Sequence, residues 1–243
     1  MSATNNEGRS EYGLGDLEKT VTINALLDIP IEQRDQNWVN SFLENIAEAN
    51  LKIGQPEVVI ASDGFPYVQL QSVHTDENFK AFVINKQLPT LLMQGFGVVI
   101  NPQNNQPDWV FSYGDIVNYE LNDKFYSEET AFSHNKENVA IGSDEKVLIG
   151  QPADNIMPKY LKNQLREFLK HAGIEVPKIM LIARNPDDEA NVKQDLVFNF
   201  TPHQFNNEQQ FQQIGNTISW FMPKHYSFLF IDEAAVENGF QAI

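Results

Sequence analysis

Two amphipathic helical patterns, each flanked by short apolar runs, restrict the fold more than any other feature of this chain. Residues 158–172 repeat apolar side chains at the spacing of one helical face, and Pro158 and Gly173 mark the two ends. Residues 206–221 show a second such stripe, which ends before Pro223. Strand-like runs precede, separate and follow the two helices, at 146–150, 176–183, 196–200 and 226–231. The resulting order, β-α-β-β-α-β, predicts a ferredoxin-like domain.

The first half of the chain shows shorter patterns of both kinds. An apolar stripe predicts a helix over residues 34–50. Asp63-Gly64 separates two strand-like runs, at 57–61 and 65–70, which is typical of a β-hairpin. Further patterns predict a helix at 88–93, a strand at 95–100, a partner strand at 108–112 and a helix capped by Ser112. Both halves together predict an α+β protein of two small mixed α/β domains.

The domain boundary is predicted within a long polar stretch, residues 122–145, which carries only scattered aromatic side chains. We therefore predict a flexible tail at 1–19, an N-terminal domain at 20–135 and a C-terminal domain at 146–243. No convincing internal repeat relates the two halves in sequence.

Charge and cysteine content narrow the classes of function. The chain has 17 Lys and Arg against 33 Asp and Glu, a net charge of −16. Such a field repels phosphate backbones and anionic membranes, so we expect neither nucleic acid nor membrane as a partner. Cysteine is absent, which excludes disulfides, thiolate zinc sites and cysteine nucleophiles. The first residues lack a basic start followed by an apolar run, so we expect a cytoplasmic protein without a signal peptide.

Motifs that carry chemistry are missing from the sequence. The Gly-Phe-Gly segment at 95–97 precedes a strand instead of following one, so it does not match a phosphate-binding loop. No two histidines lie at i, i+4, and no Gly-x-Ser-x-Gly occurs. We predict no catalytic residue, no metal and no cofactor. The remaining enzyme hypothesis is a dispersed site built from residues such as His203, Asp195 and Glu208.

Five residues are candidate partner contacts. Asp187, Asp188 and Glu189 form the densest acidic cluster, in the loop between two predicted strands. A solvated hairpin tip, a partner contact and a hard-cation site are the three interpretations, although the EF-hand spacing is absent. Trp109 and Trp220 serve either core packing or, where a ring edge is exposed, an interface.

Two segments of the chain resemble the enhanced serine sensitivity protein (SseB) family of bacteria. The first is Gly95-Phe-Gly-Val-Val-Ile-Asn-Pro followed by Trp109-Val-Phe-Ser, which is similar to the N-terminal domain of that family. The second is Val147-Leu-Ile-Gly-Gln-Pro-Ala, followed by an amphipathic helix near Pro158 and a strand at 178–183, which resembles the opening of the C-terminal domain. The resemblance implies a two-domain protein with no catalytic residues to carry over. Relatives of such domains near toxin systems imply an accessory or immunity role.

Two binding hypotheses follow, with the dispersed enzyme as the third. In the first, a non-enzymatic interaction protein binds a protein partner through an acidic surface. In the second, an immunity protein neutralises a basic toxin. The sequence does not predict the oligomeric state.

Overall fold

A computed structural model describes most of the chain. The described residues are 13–73, 79–103, 106–128, 130–133, 147–188, 192–205, 207–236 and 238–243. They form two compact units, residues 1–116 and 117–243, each with its own mixed sheet. The predicted α+β class with two small mixed domains is confirmed.

Unit 1 contains three helices, five strands and the beginning of a fourth helix in its described part. In chain order these are α1 (Leu17–Leu27), α2 (Gln36–Asn45), β1 (Leu51–Ile60), β2 (Pro66–Gln71), β3 (Ala81–Phe82), α3 (Leu88–Gln94), β4 (Gly97–Ile100), β5 (Trp109–Phe111) and α4 (Tyr113–Asn122). The sheet has the order β3-β1-β2-β4-β5, and only the β2–β4 pair is parallel. The predicted hairpin, the helix near residue 88 and the helix after Ser112 are all present.

The Gly-Phe-Gly segment has a structural explanation in unit 1. Gly95 ends α3 in the left-handed conformation, with φ of 73°, which a residue without a β-carbon adopts at least cost. Gly97 opens β4 where there is no room for a side chain. A β-carbon there would lie 2.6 Å from the carbonyl oxygen of Phe111 and 2.7 Å from the ring of Tyr67.

Gly97→Ala is therefore expected to destabilise unit 1 by about 1–3 kcal/mol, because backbone and a buried ring have to move apart. Gly150→Ala is the matched control, since a β-carbon at that strand position meets nothing within 4 Å. Urea unfolding followed by tryptophan fluorescence measures both variants. Equal stability of the two variants would contradict the steric argument.

Unit 2 holds the two helices whose stripes dominate the sequence. Its elements are β6 (Val147–Gly150), α5 (Lys159–His171), β7 (Lys178–Arg184), β8 (Lys193–Phe198), α6 (Glu208–Phe221), β9 (Phe228–Phe230) and β10 (Gln241–Ala242). Leu161, Leu165 and Leu169 on α5 are fully buried, as the stripe predicts. The predicted β-α-β-β-α-β order is confirmed, with β10 added at the end.

The strand pairing of unit 2 differs from the split ferredoxin arrangement. β8 and β9, which α6 joins, are direct parallel neighbours with no strand between them. β7 pairs antiparallel with β8 on one edge, and on its other edge with β6 and β10. The order of elements along the chain does not determine this pairing, so the sequence pattern alone does not distinguish the two topologies.

The two sheets share one pairing pattern. In each, an antiparallel hairpin (β1–β2 or β7–β8) is followed by a helix and by a strand parallel to the second strand of the hairpin. A further antiparallel strand lies on the outer edge of the first hairpin strand: β3 pairs with β1, and β6 pairs with β7. This repeat is one of strand pairing and not of chain order, because β3 follows the hairpin β1–β2 whereas β6 precedes the hairpin β7–β8.

The units divide between Ile116 and Val117, within α4 and before the boundary predicted from the polar stretch. Two contacts connect residues 130–133, which belong to this second unit, with the rest of unit 2. The backbone N–H of Gln194 donates to the carbonyl of Ala131 at 2.8 Å, and the ring of Phe132 stacks on Tyr226 at 4.8 Å. At the other end, α1 begins at residue 17, inside the segment predicted as a tail at 1–19, of which residues 1–12 lie outside the described ranges.

Candidate functional site

Helix α1 presents an apolar stripe to solvent. Leu17 and Val21 are each 69% exposed, and Leu14, just before the helix, is 70% exposed. Ala25, one turn after Val21, is also exposed. The buried residues of α1, Thr20 and Ile23, lie on the opposite face. We call Leu14, Leu17, Val21 and Ala25 the α1 stripe. A contiguous apolar stripe of this kind is typical of a binding surface, whereas isolated exposed apolar residues are not.

Polar contacts hold α1 in this orientation. The Asp16 carboxylate accepts the backbone N–H of Lys19 at 3.0 Å and so caps the helix. Asn50 donates from its backbone and from its side-chain amide to the Thr20 hydroxyl, both at 2.9 Å. The Lys19 ammonium contacts Glu48 at 2.5 Å. The two contacts between Asn50 and Thr20 are buried, so they fix the inner side of α1 to the segment that precedes β1.

Acidic residues accompany the α1 stripe. Glu18 and Asp28 are exposed and lie on the same side of the helix as Leu17, near its two ends. The cation on the helix, Lys19, is already paired with Glu48. The surface therefore combines apolar side chains with negative charge. The sequence interpretation missed this site because the apolar residues of α1 run around the helix and show no clear period.

The predicted acidic loop lies at the tip of the β7–β8 hairpin. Asp187 and Asp188 are exposed there, and Glu189 lies outside the described residues. Asn185 begins the turn with a positive φ of 52°, and its carbonyl accepts the backbone N–H of Asp188 at 3.1 Å. This geometry places both carboxylates at the end of a rigid ladder. Their role as a partner contact stays a prediction.

Trp109 belongs to an aromatic cluster in unit 1. Its ring centroid lies 6.0 Å from Trp38, 5.2 Å from Phe42 and 6.1 Å from Phe111. The side chain is only half-buried, so a ring edge remains accessible. Packing and partner contact are thus compatible at this position.

Trp220 lies near the end of α6 and is 8% exposed. Its ring meets Phe221 edge to face at 5.0 Å. Burial of this extent favours the core-packing interpretation of Trp220, because an interface residue needs an accessible ring.

The Asn-Pro turn of the first SseB-like segment is part of a buried polar network. The side-chain N–H of Asn101 donates to the carboxylate of Asp108 at 2.7 Å, and the side-chain carbonyl of Asn101 accepts from the backbone N–H of Ser72 at 3.0 Å. The second carboxylate oxygen of Asp108 accepts from Arg34 at 2.6 Å. The Arg34 guanidinium lies 4.4 Å from the ring centroid of Trp38. Both ion-pair side chains are less than a tenth exposed. The residues of this segment therefore serve structure, with no reacting group among them.

Asp195 of the dispersed enzyme hypothesis is buried at 0% exposure. Its carboxylate accepts from the Arg184 guanidinium at 3.0 Å and from the Ser227 hydroxyl at 2.5 Å. His203 and Glu208 are both exposed. Asp195 is thus held inside unit 2 by its own partners, while the other two residues face solvent.

Four titratable side chains of unit 2 have shifted pKa values. The side-chain hydrogen bond with Lys178 lowers the pKa of Glu233, and the other three are Tyr160, Tyr226 and His225. Burial, and then the charge of Glu120, raise the pKa of Tyr160 above its usual range, and burial raises the pKa of Tyr226 to about 12. Burial lowers the pKa of His225. The Tyr226 hydroxyl donates to the carbonyl of Ile156 at 2.9 Å, whereas the buried Tyr160 hydroxyl has no partner among the described residues. Tyr160, Tyr226 and His225 are therefore all in their neutral forms near pH 7.

Within the described ranges, no three His, Asp or Glu side chains are grouped so as to hold a metal ion. None of the helices in that part of the chain combines the length and the apolarity needed to cross a membrane.

Comparisons of the chain with protein-family models, with curated proteins and with solved structures find no match. The resemblance to the SseB family therefore stays a prediction. Among the surfaces described above, the α1 stripe is the one that exposes large apolar side chains, with Leu14, Leu17 and Val21 each near 70% exposed.

Proposed function

We propose that this protein is a non-enzymatic, SseB-like interaction protein that binds a basic protein partner at the α1 stripe. The observation that carries the proposal is the exposure of Leu14, Leu17 and Val21, each near 70%, beside Glu18 and Asp28. A partner that covers the stripe gains about 25 cal/mol of binding free energy for each Å² of apolar surface removed from water. A surface of this kind is used in binding more often than it is neutral.

The charge of the chain supports a basic partner. At a net charge of −16, an acidic protein is repelled and a basic one is attracted over a distance of about 10 Å at moderate salt. The acidic residues near the two ends of α1 make the stripe selective for basic partners, because they complement Lys or Arg residues that flank an apolar segment of the partner. A basic amphipathic helix has this distribution, with apolar residues at i, i+3, i+4 and i+7.

The tip of the β7–β8 hairpin is proposed as a second, separate contact. Asp187 and Asp188 are exposed on unit 2 and add to the attraction for a basic partner. Contacts of this rim type change association rate and salt dependence more than affinity. We therefore assign the hairpin tip a steering role and the α1 stripe the binding energy.

The first test uses a synthetic amphipathic peptide with Leu on one face and Lys on the other. We expect it to bind the wild-type protein with micromolar affinity, and a Leu/Glu peptide of equal length not to bind. In the variant Leu17→Asn, Val21→Asn, the affinity for the basic peptide should fall about tenfold, because apolar contact is lost at unchanged charge. Fluorescence anisotropy at low and high salt measures each case.

The matched control is Asp187→Asn, Asp188→Asn. It lowers the negative charge and leaves α1 intact, so its effect should appear at low salt and disappear at high salt. If the stripe variant binds the basic peptide as the wild type does, attraction is only electrostatic and the proposed site is wrong. Circular dichroism confirms that both variants are folded.

Purification of partners from a native lysate then identifies the natural ligand. A stoichiometric basic protein that the wild type retains and the stripe variant loses supports the proposal. If the partner is a toxic enzyme whose activity is inhibited when this protein binds it, the role is that of an immunity protein. If the partner has no toxic activity, the role is an accessory one. Retention that is equal for both proteins would count against the α1 stripe.

A further inference from the structure

The outer edge of β9 is an open strand edge. In the parallel β8–β9 pair, Val197 lies opposite Leu229. The backbone N–H of Leu196 donates to the carbonyl of Ser227, and the N–H of Ile231 donates to the carbonyl of Phe198. In this register the N–H and the carbonyl of Leu229 both point toward β8. The backbone groups of Phe228 and Phe230 therefore point the other way. Within the described residues, no strand pairs with that edge, and no hydrogen bond reaches those groups.

The matching position in unit 1 is filled. There β4, which corresponds to β9 in the shared pairing pattern, carries β5 on its outer edge. β5 is antiparallel and reads Trp109-Val110-Phe111, an aromatic, aliphatic, aromatic sequence. In unit 2 the last strand, β10, returns to β7 instead. One sheet thus has a strand at this place, and in the other the edge is unpaired as far as the described residues extend.

We propose that a second copy of this chain fills the edge, by antiparallel pairing of β9 with β9 of its partner. β9 itself reads Phe228-Leu229-Phe230, so it has the same aromatic, aliphatic, aromatic pattern as the strand that fills this position in unit 1. A two-fold axis at Leu229 places Phe228 opposite Phe230 of the other copy. Each such pair exchanges two backbone hydrogen bonds, and the dimer gains four.

The side chains of β9 fit this arrangement. The rings of Phe228 and Phe230 pack inward on Phe198 at 6.1 and 6.0 Å, and Phe230 packs on Phe211 at 4.9 Å. All three β9 residues are only half-buried, so an adjacent strand would cover more of them. An open, apolar edge of this kind is a ready template for another strand, and pairing removes the hazard of uncontrolled association.

Local charge favours the antiparallel direction. Lys224 precedes β9 and is exposed, and Asp232 follows it and is exposed. Antiparallel pairing brings the basic side of one copy to the acidic side of the other, whereas a parallel pair would align like charges. The overall charge of −16 on each copy opposes association, so the dimer should become tighter as salt increases.

Sedimentation velocity over a range of protein concentrations and two salt concentrations tests the proposal. We expect a monomer–dimer equilibrium that shifts to dimer at the higher salt. Phe228→Pro removes the outward N–H while the N–H of Leu229 still bonds to β8, as proline on an open edge permits. Its dimer dissociation constant should rise at least about tenfold. Phe228→Ala loses the same ring but keeps the N–H, so its dimerisation should stay within a few-fold of wild type.

Hydrogen exchange of the wild-type protein gives a second readout that needs no variant. The amides of Phe228 and Phe230 should be protected at high protein concentration and exchange on dilution, while the amide of Leu229 stays protected in both conditions. A monomer at all concentrations overturns the proposal. A dimer whose Phe228 and Phe230 amides exchange freely also overturns it, because the copies then associate elsewhere.

Discussion

Asp195→Ala should destabilise unit 2 by about 3–5 kcal/mol, because it removes a buried carboxylate that pairs with the buried Arg184 guanidinium. The two side chains are 0% and 9% exposed and contact each other at 3.0 Å, and the Ser227 hydroxyl also loses its acceptor. Trp220 is the tryptophan of unit 2, so its fluorescence during urea unfolding reports on this unit.

The control for Asp195 is an exposed ion pair in the same unit. Asp154 is 69% exposed at the side chain and lies 3.5 Å from Lys162. Asp154→Ala should change the free energy of unfolding by less than about 1 kcal/mol, because solvent screens the pair. A similar loss for both variants would show that burial of the Arg184–Asp195 pair is not what makes it important.

Asp108→Ala is expected to have an effect of similar size in unit 1, about 3–5 kcal/mol. The substitution leaves Arg34 without its ion-pair partner and the amide of Asn101 without its acceptor, both in a site that water hardly reaches. Fluorescence of Trp38, which stacks with Arg34, is the direct readout in urea unfolding.

A double-mutant cycle separates loss of the pair from loss of packing. Arg34→Met keeps most of the side-chain volume on Trp38 and removes the charge. Combined with Asp108→Ala, it should be less destabilising than the sum of the single variants, since no unpaired charge remains. Additive effects would indicate that Arg34 and Asp108 do not interact energetically.

The helices of unit 2 were predictable from sequence, whereas α1 was not. The apolar residues of α5 all lie on its buried face, so their spacing identifies it. On α1, Ile23 is buried while Leu17 and Val21 are exposed, so the apolar residues do not follow one face. A helix with apolar residues on both its buried and its exposed face lacks the periodicity on which prediction depends.

Strand pairing and the candidate site depend on contacts that are distant in the chain. β1 was predicted only from residue 57, because Gly54 and Pro56 interrupt the strand pattern, although the strand begins at Leu51. The Arg184–Asp195–Ser227 contacts join three strands, and none of these residues forms a motif in sequence. The hairpin tip was predictable because turn residues and acids lie next to one another.

The pairing pattern common to both sheets combines local contacts, which form at low entropic cost during folding, with non-local contacts, which form more slowly. The hairpins β1–β2 and β7–β8 close short connections, residues 61–65 and 185–192, so little chain entropy opposes them. The parallel strands β4 and β9 join only after the chain crosses over through α3 or α6, which makes these contacts non-local. In unit 1 a further short connection then lets β5 cover the strand that arrived last. In unit 2 no described strand covers the crossover strand β9 in this way, so its outer edge is still unpaired when the described part of the chain has folded.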